Sequence, residues 1–177
     1  MNEFKLGKVA GLDLSAIPLA IVGSVLLFVI LSVVAIGILQ LPVGIALIGS
    51  FAAVILHWAS DIAHHLGHAR AARKTGYPMS GIRLGTWAIL GTSLYPDDEP
   101  ELPANIHIRR ALGGPAGSLL VSLIAAGIAL LLYNLGGILW WLAIFFFLDN
   151  LIMFTMGAFL PLGFTDGSTL LQWWGKR

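Results

Sequence analysis

The sequence predicts an all-α polytopic membrane protein of about four transmembrane helices, with a small β-hairpin or sheet at the membrane interface. Of its 177 residues, 58% are hydrophobic and only 11% are charged, whereas soluble domains carry roughly a quarter charged residues. Four apolar runs are each long enough to cross a bilayer, which takes about 20 helical residues. We therefore interpret residues 1–177 as a single membrane-embedded domain.

The element boundaries follow from the alternation of apolar and polar segments. Residues 4–14 roughly alternate in polarity, so we expect a short strand or extended surface arm within an amino-terminal arm of residues 1–16. The predicted membrane helices cover residues 17–39, 43–74, 111–133 and 138–160. Residues 80–95 are rich in Gly, Thr and β-formers, which predicts a hairpin. Residues 161–177 follow as an Asp-Gly segment and tail.

Charge and composition limit the partners. The net charge is only +1, so no nucleic-acid partner is indicated, and membrane lipid is the expected surrounding. The absence of cysteine excludes thiolate metal sites and cysteine nucleophiles. In a four-helix arrangement the basic residues lie on one side: Lys5, Lys8, the basic residues of 70–83, Arg109, Arg110, Lys176 and Arg177. The positive-inside rule then predicts that both termini are cytoplasmic.

The polar half of the second helix contains the candidate chemistry. His57, Asp61, His64 and His68 fall at i, i+4, i+7 and i+11, which is one face of a helix. His64 and His68 are four residues apart, so both could bind the same zinc ion, as the two histidines of the H-E-x-x-H motif do. His65 occupies the position where that motif has its general-base Glu. The alternative is that these histidines are structural polar residues satisfied by neighbouring helices.

A catalytic zinc site needs a third protein ligand and one open position. The candidates are Asp149, Asp166, His107 and the acidic residues of the proline-rich loop, Asp97, Asp98, Glu99 and Glu101. We expect the acidic loop to be solvated, because its prolines keep it out of a helix. Asp166 is the best candidate because it follows the helix-breaking Pro161 and lies on the same side as the histidines. By itself, however, Asp-Gly is an ordinary turn.

Four separated stretches resemble, in order, motifs of the site-2 protease family of intramembrane zinc metalloproteases. They are Phe4–Gly11 (the amino-terminal arm), His64-His-Leu-Gly-His68-Ala (H-E-x-G-H-A), Gly114-Pro-Ala-Gly-Ser118 (G-P-x-A-N) and Leu160-Pro-Leu-Gly-Phe-Thr-Asp166-Gly167 (L-P-x-x-P-L-D-G). The resemblance implies a site-2 protease core and one zinc ion held by His64, His68 and Asp166. It also implies that the hairpin offers an edge strand to an unwound substrate helix.

The match breaks at the positions of the catalytic and substrate-positioning groups. The family's Glu is His65 here, and the Asn of its G-P-x-A-N motif is Ser118. Ser118 and Asn150, which lies in the middle of the fourth helix, are retained as candidates for positioning a substrate. Three interpretations of His65 stay open: an inert residue, a substitute base, or a bystander to another carboxylate. The candidate for that carboxylate is Asp61. It could replace the Glu as the base, or it could instead orient a histidine through a hydrogen bond.

We therefore expect a zinc-binding protein of this fold, with doubtful peptidase activity because His65 replaces the catalytic Glu. The alternative is an inactive pseudoprotease that binds a transmembrane helix of a partner protein. A transporter or proton relay would also explain buried ionisable residues, though not the four family-like stretches. A haem protein would need a histidine on a facing helix, and we expect His107 to lie in a loop.

Overall fold

A computed structural model of the chain describes residues 3–176. Five α-helices are described: α1 (Pro18–Gly37), α2 (Val43–Thr75), α3 (Ala104–Leu132), α4 (Gly137–Leu148) and α5 (Asp166–Trp173). Helix α4 continues as a π-helical segment, Asp149–Met156, and a 3₁₀ turn, Gly157–Phe159. Four helical stretches are long and apolar enough to cross a membrane: Pro18–Gly37, Val43–Thr75, Ala104–Leu132 and Gly137–Phe159. The chain is thus a multi-pass integral membrane protein, and the predicted fold class is confirmed.

The small sheet has four strands in the order β1-β2-β3-β4: β1 (Phe4–Val9), β2 (Leu12–Ala16), β3 (Gly81–Trp87) and β4 (Leu90–Leu94). β1 and β2 form one hairpin, and β3 and β4 form a second over the segment where a hairpin was predicted. β2 and β3 pair in parallel, with Asp13 opposite Gly81. The amino-terminal arm is thereby fixed at the same end of the bundle as the α2–α3 connection. Met1, Asn2 and Arg177, part of the predicted arm and tail, lie outside the described residues.

Two predicted boundaries need correction. The third helix begins at Ala104 rather than at 111, so His107 lies in a helix and not in a loop. Hydropathy locates the part of a helix that crosses the lipid, but a helix can continue into the interface, here as far as Pro103 at its N-cap. The predicted helix 138–160 is also not uniform, because its second half is π-helical from Asp149 onwards.

Helices α2 and α3 approach so closely that their backbones touch. A Cβ atom added at Gly67 would lie 2.3 Å from the Gly113 carbonyl oxygen, and one added at Gly113 would lie 2.6 Å from that of Gly67. Small residues at such crossings allow tight van der Waals packing, which drives helix association in membranes. The crossing brings the histidine-bearing face of α2 against the start of α3.

The sheet packs on the last turns of α2. Its buried cluster joins the sheet and the β3-preceding segment to that helix through Leu12, Ala69, Ala72, Met79, Ile82 and Leu84. Large apolar side chains on α1, α3 and α4 are instead exposed on the outside of the bundle, as expected for surfaces that face lipid. The polar face of α2 is therefore enclosed between the sheet, α3 and the carboxyl-terminal segment.

Candidate metal centre

His64, His68 and Asp166 converge on one point. The Nε2 atoms of the two histidines lie 3.0 Å apart, and the Asp166 carboxylate oxygens lie 3.3 Å from His64 Nε2 and 3.4 Å from His68 Nε2. Ligands of a tetrahedral zinc ion, with bonds of 2.0–2.1 Å, are separated by about 3.3 Å. All three side chains are largely buried, and their potential ligand atoms form a group that could hold a metal ion.

The other ring nitrogens orient the two histidines. His68 Nδ1 lies 2.8 Å from the Arg110 carbonyl oxygen, which can only accept, and 3.2 Å from the Gly114 amide nitrogen, so the shorter contact places the proton on Nδ1. His64 Nδ1 lies 3.0 Å from the Ser118 hydroxyl. With Nδ1 as the donor in both rings, both Nε2 lone pairs face the Asp166 carboxylate. A cation bound among these atoms takes the place of the protons that would otherwise bridge the imidazoles and the carboxylate. The residues present therefore fit a zinc ion.

Asp166 is positioned by the short loop that precedes it, which is held by internal hydrogen bonds. Thr165 takes the N-cap position of α5, and its hydroxyl contacts the Leu160 carbonyl. The Ser168 hydroxyl accepts a hydrogen bond of 2.7 Å from the Gly163 amide. Burial by itself would raise the pKa of Asp166, but in the metal-free protein hydrogen bonds from the His64 and His68 imidazoles outweigh this and lower the pKa to about 2. The side chain is thus an ionised carboxylate, as a metal ligand must be.

Gly114 of α3 faces the two Nε2 atoms directly. A Cβ added at this position would lie 2.3 Å from His68 Nε2 and 2.5 Å from His64 Nε2. No real Cβ tolerates contacts that short, so only glycine keeps the two rings in place here. Sequence analysis noticed Gly114 as the first residue of a motif, but its contact with the ligand atoms required the structure.

His65 turns away from this group and toward β4. Its Nδ1 lies 3.0 Å from the Ser93 hydroxyl, and its Nε2 lies 3.6 Å from Asp61 Oδ1. Its ring centroid is 5.5 Å from that of His64 and 5.8 Å from that of His68. Asp61 itself accepts a hydrogen bond of 3.1 Å from the Gly91 amide, and its Oδ2 finds no hydrogen-bond partner among residues 3–176. Asp61 is therefore next to His65 and strand β4.

The two candidates for substrate positioning are fully buried. Ser118 contacts His64, as described above, and Asn150 donates hydrogen bonds of 2.8 Å to the Ser60 hydroxyl and to the Phe146 carbonyl. Ser118 is thus placed to orient His64, and Asn150 to join the π-helical segment to α2. Contact of either residue with a substrate stays a prediction.

A cleft of about 480 Å³ opens beside the histidines and Asp166. One wall is strand β4, which contributes Leu90 to Ser93 and lies at one edge of the sheet. The facing wall includes Phe154 of the π-helical segment and Phe164 of the loop that precedes Asp166. The arrangement places an edge strand and a potential metal site in one cleft of the helix bundle.

Arg110 also lines this cleft, and its contacts there were missed by sequence analysis. Its guanidinium forms an ion pair with Glu99, donates a hydrogen bond of 2.6 Å to the Tyr77 carbonyl, and lies 4.1 Å from the centre of the Tyr95 ring. Hydrogen bonding to Arg110 lowers the pKa of Glu99, and burial raises the pKa of Tyr95 to about 12. The sequence signal that could have predicted this ion pair is an arginine near the start of an apolar helix, shortly after an acidic loop.

The remaining ionisable candidates are not part of the group formed by His64, His68 and Asp166. Asp149 binds His57 at 3.1 Å and is not part of the metal group. His107 stacks on Trp173 of α5, with ring centroids 4.2 Å apart. The predicted polar face of α2 (His57, Asp61, His64 and His68) is buried, but only His64 and His68 reach Asp166.

No family model and no curated protein matches the chain. Among solved structures, the chain is similar to the site-2 protease from Methanocaldococcus jannaschii, with a TM-score of 0.66 at 20% sequence identity. The similarity covers 97% of this chain and 70% of that protease. The chain therefore has the fold of a site-2 protease, as the resemblance of its four sequence stretches implied.

Proposed function

We propose that the protein holds one zinc ion through His64, His68 and Asp166 and binds an extended segment of a membrane protein along strand β4. We further propose that it hydrolyses peptide bonds poorly or not at all. The observation that carries the proposal is the convergence of the two Nε2 atoms and the Asp166 carboxylate at 3.0 to 3.4 Å. A zinc ion bound there would act as a Lewis acid toward a carbonyl or a water.

The donor set supports zinc over other metals. Two imidazoles and one carboxylate are a common three-ligand set for zinc, whereas calcium and magnesium prefer oxygen ligands. The hydrogen bonds from Nδ1 to Ser118 and to the Arg110 carbonyl are of the kind that fixes the tautomer and ring orientation of metal-binding histidines. Three protein ligands leave a position open for a further group.

Strand β4 supports binding of an extended segment. It lies at the edge of the sheet and lines the same cleft as His64, His68 and Asp166. Edge strands can accept an added strand, with main-chain hydrogen bonds giving affinity. A transmembrane helix that unwinds locally would offer such a strand, and the membrane surrounding the bundle is the source of such helices.

The environment of His65 supports weak or absent hydrolysis. The usual general base of such a site, a Glu, is replaced by His65, and both ring nitrogens of His65 lie near groups of β4 or Asp61. General-base catalysis requires a group within hydrogen-bond reach of the proton that it removes. A second candidate function, peptide hydrolysis with Asp61 and His65 acting together, is favoured by one observation: both residues line the cleft.

The zinc content of detergent-purified protein tests the metal site. We expect about one zinc per chain in the parent and loss of zinc in His68→Ala and Asp166→Ala. Asp98→Ala is the matched control, because it removes an exposed carboxylate. A parent without zinc, or an Asp166→Ala variant that keeps it, would contradict the proposed site.

Cleavage of a transmembrane substrate in detergent or liposomes tests the catalytic part. We expect little cleavage by the parent and a gain of activity in His65→Glu, which restores a carboxylate next to His64. Zinc-dependent cleavage by the parent that disappears in Asp61→Asn would instead establish the second candidate function.

A further inference from the structure

Three side chains of α2 contact strand β4 and the turn residue before it at regular intervals. His57 Nε2 lies 2.7 Å from the carbonyl oxygen of Ile89, the turn residue immediately before the strand. The Gly91 amide donates a hydrogen bond of 3.1 Å to Asp61 Oδ1. His65 Nδ1 lies 3.0 Å from the Ser93 hydroxyl. Positions that are four apart on the helix thus contact positions that are two apart on the strand.

The spacing of these contacts matches the geometry of both elements. Four residues of an α-helix rise about 6.0 Å, and two residues of a β-strand rise about 6.6 Å. Two steps therefore accumulate a difference of only about 1 Å, which side chains of this length can absorb. Both series increase in number together, so β4 runs alongside α2 in the same direction with a defined register.

The first contact is itself fixed by a further residue. Because a carbonyl oxygen only accepts, His57 Nε2 must carry a proton. His57 Nδ1 lies 3.1 Å from Asp149 Oδ1 in the π-helical segment, so one proton is held between these two atoms. His57 is 2% exposed and its ring is held from both sides. Asp149 thereby orients the ring that binds the hairpin.

Membrane depth gives these contacts their importance. His57 is 14 residues after Val43, the first residue of α2, which is a rise of about 21 Å along the helix. The turn of the β3–β4 hairpin is therefore within the bundle, and Gly23 of α1 packs against the Ala88 carbonyl. Irregular backbone at membrane depth requires protein partners for its polar groups. His57 and Asp61 supply them.

We propose that His57, Asp61 and His65 are positioning residues that hold strand β4 in register along α2. This proposal rests on the proposed function, and it identifies why His65 occupies the position next to the ligand His64. The same helix bears the metal ligands and the three contacts, so it sets the distance between β4 and the metal group. The Gly91 amide is already engaged by Asp61, so an added peptide strand pairs with β4 toward Ser93.

Hydrogen–deuterium exchange of β4 in the detergent-purified full chain tests the proposal. Asp61→Leu removes the acceptor of the Gly91 amide, and we expect exchange in residues 90–94 to rise about tenfold or more. Asp61→Asn keeps an acceptor oxygen, and we expect it to retain the exchange rate of the parent. Zinc content should be unchanged in both variants, because Asp61 is not one of the three ligands.

A milder pair of variants decides the question if Asp61→Leu does not fold. Ser93→Ala removes the strand's side of the third contact, whereas Thr92→Val removes a neighbouring hydroxyl that takes no part in the series. We expect faster exchange in β4 for Ser93→Ala only. Equal exchange in the two variants, or an Asp61→Asn variant as fast as Asp61→Leu, would overturn the proposal.

The affinity for a synthetic transmembrane peptide separates this proposal from the proposed function. If the parent binds the peptide, we expect Asp61→Leu to weaken binding about tenfold while Asp61→Asn does not. If the parent binds neither zinc nor the peptide, the proposed function fails. The exchange pattern in β4 still decides whether the three contacts hold the strand.

Discussion

Substitution of Gly114 by alanine separates metal binding from fold stability. The added Cβ would lie 2.3 Å from His68 Nε2 and 2.5 Å from His64 Nε2. Ordinary carbon–nitrogen contacts begin at about 3.4 Å, so each ring would have to move by about 1 Å. Both rings are also held from behind, by the Arg110 carbonyl and by Ser118. Neither can retreat without losing a hydrogen bond.

Gly114→Ala is expected to affect helix stability and zinc affinity in opposite directions. Alanine in a helix interior is favoured over glycine by about 1 kcal/mol, so helix propensity alone would stabilise the variant. Metal sites tolerate deviations of only about 0.2 Å in ligand distance, so a displacement of about 1 Å should disrupt coordination. We therefore expect zinc affinity to fall about a hundredfold or more, whereas the helix itself remains folded.

Gly127→Ala is the matched control, because it lies on the same helix with open space around its added Cβ. Zinc affinity, measured by competition with a chromogenic chelator, should be unchanged in Gly127→Ala and lost in Gly114→Ala. Circular dichroism should show the same helix content in both variants. A Gly114→Ala variant that binds zinc as tightly as the parent would refute the assignment of the two Nε2 atoms as ligands.

Three further predictions use the contacts around the site. Ser118→Ala removes the hydroxyl that contacts His64 Nδ1, and zinc affinity in the same chelator assay should fall about tenfold to a hundredfold. Addition of a strong chelator should lower the melting temperature of the parent but not of Asp166→Ala, because only the parent is stabilised by bound metal. The pKa of Glu99 is lowered in the folded state by Arg110, so its contribution to stability is present above the unfolded-state pKa and is lost as the pH falls through the folded-state pKa. Between about pH 7 and pH 3, the melting temperature should therefore fall less for Glu99→Gln than for the parent. An equal fall in melting temperature for the two proteins would contradict the ion pair.

The fold class was predictable because the membrane imposes strong constraints on sequence. A spanning helix must bury its backbone polar groups in internal hydrogen bonds and needs about 20 apolar residues, so the spans are visible as uncharged runs. The helix boundaries were less predictable. The start of α3 at Ala104 and the π-helical segment from Asp149 depend on packing at the interface and on α2.

The metal group was predictable in part. Two histidines four apart on a helix must lie on one face, so His64 and His68 follow from local geometry. Asp166 lies 98 positions after His68, and only its resemblance to a family motif selected it over other acidic residues. The ion pair of Arg110 with Glu99 was not predicted, because the simplest expectation for a loop of charged residues is that it is solvated.

The sequence by itself determined that the chain spans a membrane and that one face of α2 is polar, since an uncharged run and a polar face are both patterns within a single helix. Only the tertiary structure decided how that face is divided. His64 and His68 meet Asp166 because α5 folds back against α3. His57, Asp61 and His65 instead meet strand β4, because the hairpin inserts alongside α2. Contacts between residues this distant in sequence depend on how the elements pack, and a single sequence contains no periodic signal for that packing.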